Sequence, residues 1–169
     1  MKDLFSDNSQ LYQQARPDYA AEILEAVLKY VPERQLAWDC GAGSGQFTQW
    51  LAPHFQQVLA TDLSAAQLAQ APQLQNVICR AAAAEHSGLP DHSADLVTVA
   101  QAIHWFNFDV FYAEVRRVLK PKGCLAVIGY GLIEAQDPQL LNYFNIWSGL
   151  KHYVKQHNQS PLAPLEAYF

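Results

Sequence analysis

Leu36-Ala37-Trp38-Asp39-Cys40-Gly41-Ala42-Gly43-Ser44-Gly45-Gln46 passes from a short apolar run, through an acid, into a cluster of glycines. Phe47, Trp50 and Leu51 follow at helical spacing, so the stretch predicts strand, tight turn, helix. Glycines let a backbone turn sharply and come close to a ligand, and the first turn of the following helix presents unpaired N–H groups there.

Outward from this unit the pattern repeats. Val58-Leu59-Ala60-Thr61 predicts a second strand, Ser64 a helix cap, and the Ala/Gln/Leu-rich run to Ala71 a short helix ending before Pro72. Val77-Ile78-Cys79 and Leu96-Val97-Thr98-Val99-Ala100 predict two more strands. Phe108, Phe111, Val115 and Val118 then share one helical face. Lys120-Pro121-Lys122-Gly123 reads as a turn and Cys124-Leu125-Ala126-Val127-Ile128 as a fifth strand. Upstream, Pro17 to Val31 carries Ala20, Ile23, Leu24, Val27, Leu28 and Val31 at helical spacing, and Pro32 ends it. Apolar strands alternating with helices predict an α/β fold: a doubly wound, mostly parallel sheet with helices on both faces and a ligand at the carboxyl ends of its strands.

Asp137-Pro138 opens a further helical pattern through Leu140, Phe144, Trp147, Leu150 and Val154, and beyond Gln156 the chain turns polar. The last residues, Leu165 to Phe169, close no obvious element, so a fragment is expected. The organisation is a single domain: 1–31 as an N-terminal lid and first helix, 32–135 as the core, and 136–169 as an incomplete helical extension.

Composition bounds the function. Eleven basic and 16 acidic residues among 169 give a net charge of −5, with 50% apolar and 16% charged residues. That describes one acidic, soluble domain, able to bury roughly 70% of its unfolded surface, and it argues against a binder of nucleic-acid phosphates. No apolar run reaches membrane-spanning length and the first residues form no secretion signal, so a cytoplasmic protein without membrane partners is expected. Cys40, Cys79 and Cys124 are odd in number and far apart, which predicts buried free thiols. His54, His86, His92, His152 and His157 have no ligand-spaced companions, so no metal is expected.

Asp62 ends the second strand, 17 positions after Gly45. A carboxylate there accepts from both hydroxyls of a ribose, so glycine loop and acid together form an adenosine-binding pattern. Gln46 stands where the dinucleotide fingerprint needs its third glycine, which disfavours a nicotinamide enzyme, and no Lys-Ser/Thr follows the glycines as in a P-loop. The D-x-G-x-G-x-G motif with its acid resembles the class I S-adenosylmethionine-dependent methyltransferases, which have a Rossmann-like fold. Leu89-Pro90-Asp91-His92-Ser93-Ala94-Asp95-Leu96-Val97 and Arg116-Arg117-Val118-Leu119-Lys120-Pro121-Lys122-Gly123 are similar to two segments of the methyltransferase type 11 domain. Ala84-Glu85, Ala100 to Asn107, Tyr12 and Arg16-Pro17-Asp18-Tyr19 are closer to its trans-aconitate methyltransferase-like subgroup.

The resemblance implies transfer of a methyl group from S-adenosyl-L-methionine to a small-molecule acceptor, a carboxylate among the candidates, with S-adenosyl-L-homocysteine as product. It implies that Gly41, Ala42, Gly43 and Gly45 lie against the methionine part. Asp39 would orient the loop or meet the cofactor's amino group. Asp62 would hold the ribose, Leu63 and Gln67 would flank the adenine, and the amides of Ala84 and Glu85 would meet its edge. Gln101 would face the cofactor between methionine and substrate. Tyr12, Arg16 and Tyr19 would form a lid, Tyr12 and Arg16 toward the cofactor and Tyr19 toward the substrate. His104 and Trp105 would wall the substrate, with His104 as a general base. Many relatives have an acid just before Ala84, whereas Ala81 to Ala84 are all alanine here. The alternative reading is therefore a non-catalytic cofactor- or partner-binding domain on the same fold. Complete relatives close a seven-stranded sheet with two further strands, which this chain is expected to lack. An open sheet edge would favour dimerisation, so a monomer or a homodimer is expected.

Overall fold

A computed structural model of the protein describes residues 21–129. The readings made for Tyr12, Arg16, Tyr19, the first turn of the N-terminal helix and everything beyond Gly129, including the absent closing strands, lie outside the described residues. Along the chain the order is α1 (Ala21–Leu28), β1 (Leu36–Cys40), α2 (Thr48–Leu51), β2 (Gln57–Asp62), α3 (Ala65–Leu68), β3 (Val77–Ala81), β4 (Ala94–Ala100), α4 (Phe108–Val118) and β5 (Leu119–Ile128). The strands form one parallel sheet in the order β3-β2-β1-β4-β5, the α/β class that the alternating pattern predicts. The sheet runs outward from β1 in both directions, so the crevice between β1 and β4 is the point where connections diverge to opposite sides.

Side chains alternate between the two faces of each strand, so registered neighbours in a parallel sheet share a face. Ala37 lies beside Val58 and Leu96, and this face packs with Leu24 and Leu28 of α1, Val31, Phe47 and Leu51. On the other face Trp38 lies beside Leu59 and Val97, with its ring centroid 6.4 Å from that of Phe111 on α4. Trp38 is wholly buried, and its indole N–H donates to Thr61 Oγ1 at 2.8 Å, so the one polar atom of the ring is satisfied. Every residue of β4 is buried, as a central strand with both faces covered requires.

The amino ends of the strands are latched around the Asp95 carboxylate. Asp95, 3% exposed, accepts from the amides of Gln35 and Leu36 at 2.7 and 2.9 Å, and its other oxygen meets Lys120 Nζ at 2.6 Å. The aspartate comes from the Leu89 to Val97 segment and the lysine from the Arg116 to Gly123 segment. Two stretches notable as motifs are thus the halves of a structural clasp at the end of the sheet opposite the glycine loop.

Two expectations are corrected here. Lys120-Pro121-Lys122-Gly123 is not a turn before the strand: β5 starts directly at Leu119, and these residues bulge between the pairings Ala94 with Leu119 and Leu96 with Cys124. The thiols are not all buried: Cys40 is, Cys124 is partly covered, and Cys79 is exposed on β3, which lies at the edge of the sheet among the described residues. Smaller differences fall at helix ends: α1 stops at Leu28, and Val31 follows in a turn closed by its amide on Leu28 O. Ser64 does cap α3, accepting from the Gln67 amide.

Between β3 and β4 the chain crosses the sheet without a helix. Ser87, 1% exposed, holds this crossing to α4 by donating from its amide and hydroxyl to Glu114 Oε1 at 2.8 and 2.6 Å. Arg117 binds both oxygens of Glu114 and reaches Asp91. Burial alone would raise the Glu114 carboxyl, but the hydrogen bonds from Arg117 and Ser87 outweigh it and hold it at about 2.

Candidate functional site

The loop after β1 is built on backbone that only glycine adopts freely. Gly41, Gly43 and Gly45 have φ of +72°, +55° and +78°. Space is equally restrictive: a Cβ on Gly41 would lie 2.5 Å from Ala102 Cβ, and one on Gly43 would lie 2.8 Å from Gln67 Oε1. The amides of Gly41 and Ala42 both donate to Thr61 O, at 2.8 and 2.9 Å, so the loop is folded back over the end of β2. Gly41→Ala is expected to cost about 2 kcal/mol or more in urea unfolding, from left-handed strain plus the clash with Ala102.

Asp39 lies under this loop, 1% exposed. It shares a face with Thr98, its register partner on β4, and points toward α2. Thr98 Oγ1 donates to one carboxylate oxygen at 2.8 Å and Thr48 Oγ1 to the other at 2.6 Å. Both oxygens are thus engaged in tying β1, β4 and α2 together beneath the glycines. Burial raises its pKa from 3.8 to about 6; the two hydroxyls oppose the rise and the neighbouring charge of Asp62 adds to it.

The folded chain therefore binds the Asp39 proton more tightly than the unfolded chain does. The stability this brings is complete below pH 3.8 and is lost as pH rises through about 6. Glu114 acts in the opposite sense, its contribution being present above 4.5 and lost as pH falls through about 2. Urea unfolding between pH 4 and 7 should show a decline on the order of 2–3 kcal/mol from Asp39. Asp39→Asn, which still donates and accepts toward the two threonines, should remove that decline.

Asp62 closes the other side of the loop. Its Oδ2 accepts from the Gly43 amide at 2.9 Å and its Oδ1 from the Ser64 amide at 2.8 Å. Each oxygen keeps a further lone pair. Leu63 beside it is an exposed large apolar side chain, 45% accessible, and Gln67 is buried against Gly43. After β3 the Ala82 amide donates to Asp62 O at 3.0 Å, which brings the buried Ala84 and half-buried Glu85 to the same end of the sheet.

Gln101 directly follows β4 in a left-handed conformation, φ +58°, rare for a residue with a side chain. Its amide is fixed on Ile128 O at 2.9 Å, and its buried Nε2 has no partner among the described residues. His104 and Trp105 follow in a single helical turn, Ile103–Trp105, with ring centroids 4.9 Å apart. His104 is exposed and Trp105 half-buried. Phe106 turns inward: its ring packs on Phe111 at 5.0 Å and lies beside Gly41.

The described site residues thus converge on the carboxyl ends of β1 to β4. Sequence reasoning missed Thr48 and Thr98 as the grip on Asp39, and Ala102 as the side chain that keeps position 41 a glycine. Each depends on strand register, which no local pattern carries. The residues fit S-adenosylmethionine by their own chemistry: a loop of left-handed glycines, an acid with spare lone pairs, an exposed apolar side chain, and a buried side-chain amide.

Sheet order, glycine loop and second-strand acid together define a nucleoside-binding α/β domain of the Rossmann-like kind. Residues 38–127, more than half of the chain, match the model of the methyltransferase domain family. A methyltransferase homologue of Dictyostelium discoideum is 39% identical over 98% of this chain and 62% of its own length. A Saccharomyces cerevisiae protein named for S-adenosylmethionine-dependent methyl transfer is 28% identical, over 86% of this chain and 54% of its own. The solved structure of a type II methyltransferase homologue from Anaeromyxobacter dehalogenans superposes with a TM-score of 0.71 at 38% identity, covering 80% of this chain and 57% of that one. The chain belongs to the class I S-adenosylmethionine-dependent methyltransferases. It spans less than two thirds of each of these relatives.

Proposed function

We propose that the chain carries the donor half of an enzyme that moves a methyl group from S-adenosyl-L-methionine to a small-molecule acceptor, with carboxylic acids as the first class to test. The observation that carries this reading is the Gly43 amide held on Asp62, in a loop whose three glycines are left-handed. That arrangement places backbone and carboxylate together at one strand end, where a nucleoside with an amino-acid tail needs both. S-adenosylmethionine supplies the methyl group on a sulfonium centre, already a good leaving group. The protein's part is mainly positioning. Asp62 orients the ribose, the glycines admit the methionine portion, and the Gln101 amide donates to an oxygen acceptor between donor and substrate. The aromatic face of Trp105 favours a nearby cation, and His104 is the residue we assign to take a proton from a hydroxyl or amine acceptor. A carboxylate acceptor needs no such base. The subgroup around trans-aconitate methyltransferases remains our reading of the Ala84-Glu85 and Ala100 to Asn107 segments.

A second reading, a binding domain without turnover, draws support from the alanine run 81–84, which offers no side-chain acceptor to an adenine amino group. Calorimetric titration with S-adenosylmethionine and, separately, NAD tests both. Saturable binding of the first alone, followed by methyl transfer to a panel of small acids, supports the enzyme. Binding without transfer to any small acceptor supports the second reading as a cofactor-binding domain, and no binding of S-adenosylmethionine overturns the enzyme and leaves the second reading only as a partner-binding domain.

A further inference from the structure

We infer that Glu85 is a positioning residue that couples the donor end of the site to the substrate wall, an inference that rests on the function proposed above. The connection is a single hydrogen bond across the top of the sheet: the Asn107 amide donates to Glu85 Oε1 at 2.8 Å. Glu85 follows β3 and Asn107 follows β4, and in the order β3-β2-β1-β4 these strands are three steps apart, about 14 Å at ordinary strand spacing. The loop after β3 therefore runs from the end of β2, where the Ala82 amide meets Asp62 O, to the start of α4, where Glu85 meets Asn107.

Both partners are held in place from behind. The loop carrying Glu85 is fixed two residues later, where Ser87 bonds to Glu114 in mid-α4 and Arg80 Nη1 donates to Ser87 O at 3.2 Å. Gly88, at φ +70°, turns the chain there, and a Cβ would lie 2.7 Å from that same arginine nitrogen. Asn107 is the N-cap of α4 and accepts the Phe111 amide at 2.8 Å, but its own side chain makes no cap bond. The carboxylate of Glu85 takes up the amide at this position from another loop. Immediately before it lie His104, Trp105 and Phe106, whose turn is closed by Trp105 N on Ala102 O and Phe106 N on Ile103 O.

The backbone of residue 85 is thus expected at the adenine edge, while its side chain fixes the end of the turn that walls the substrate. A second contact acts in the same direction, since Ala102 and Phe106 lie against Gly41. Filling the donor site should therefore order the 103–107 turn, and donor should bind before acceptor.

Amide hydrogen exchange on the full chain, with and without saturating S-adenosyl-L-homocysteine, tests this. In the wild type the ligand should slow exchange at the Trp105 and Phe106 amides about tenfold. Glu85→Gln retains an acceptor oxygen and should keep the response, whereas Glu85→Ala should lose it. Asn107→Pro removes the donor instead of the acceptor, and φ −78° at 107 after extended backbone at 106 suits proline, so this variant tests the bond should Glu85→Ala fold poorly. It too should lose the response. Wild-type slowing in Glu85→Ala or Asn107→Pro overturns the inference alone. Failure of the wild type to bind S-adenosylhomocysteine overturns the donor-site reading and the coupling with it.

Discussion

Asp62→Ala is expected to lower affinity for S-adenosylmethionine by at least about a hundredfold in calorimetric titration. Two hydrogen bonds from ribose hydroxyls to a carboxylate are at stake, each on the order of 1.5–3 kcal/mol. The structure adds a further loss, because the same carboxylate holds the amides of Gly43 and Ser64. Removing it releases the glycine loop as well as the ligand contact. Asp62→Asn separates the two effects: it keeps one oxygen acceptor and should be intermediate. His104→Ala, on the far side of the site, should leave donor affinity within about threefold, because it touches none of these bonds. Full retention of binding by Asp62→Ala would mean that the ribose lies elsewhere.

The second large effect is on stability. Asp95→Ala should cost about 3–5 kcal/mol, since it strands two backbone amides and at once breaks the ion pair of a buried carboxylate with the partly exposed Lys120. For a chain of this size that corresponds to a fall of roughly 10 °C or more in Tm. Lys120→Met should cost distinctly less, because Asp95 keeps the amides of Gln35 and Leu36 as donors. Neither substitution should change the donor affinity of the folded molecule, as the clasp lies at the opposite end of the strands. Equal losses from the two variants would show that the ion pair, rather than the backbone amides, holds β1 to β4.

The glycine loop and Asp62 were legible in the sequence because their signals are local. Left-handed turns call for glycine, and an acid at a strand end is visible wherever the strand is. The same holds for the Ser64 cap and the buried face of α4. The Asp39 clamp was not legible, since Thr98 is one of several polar residues within apolar runs until β4 is registered against β1. The exposure of Cys79 was missed for a related reason: Val77-Ile78-Cys79 reads as apolar as any central strand, and only the sheet order puts it at an edge. Lys120 to Gly123 has the composition of a turn and does leave the ladder, but the strand resumes on either side of it.

The sheet order also divides the chain in time. β1, β2 and β3 are neighbours in sequence and in space, whereas β1 and β4 pair across separations of about sixty residues, the span of the Asp95 to Leu36 bond. Loop closure of that length slows pairing, so the β1–β3 half is expected to form early and the β4–β5 half to join it late. On a ribosome the early half emerges first, with the still vacant edge of β1 presented to solvent until residue 94 is made. The Asp95 clasp then belongs to the last step of assembly, and its removal should act on unfolding rates far more than on folding rates.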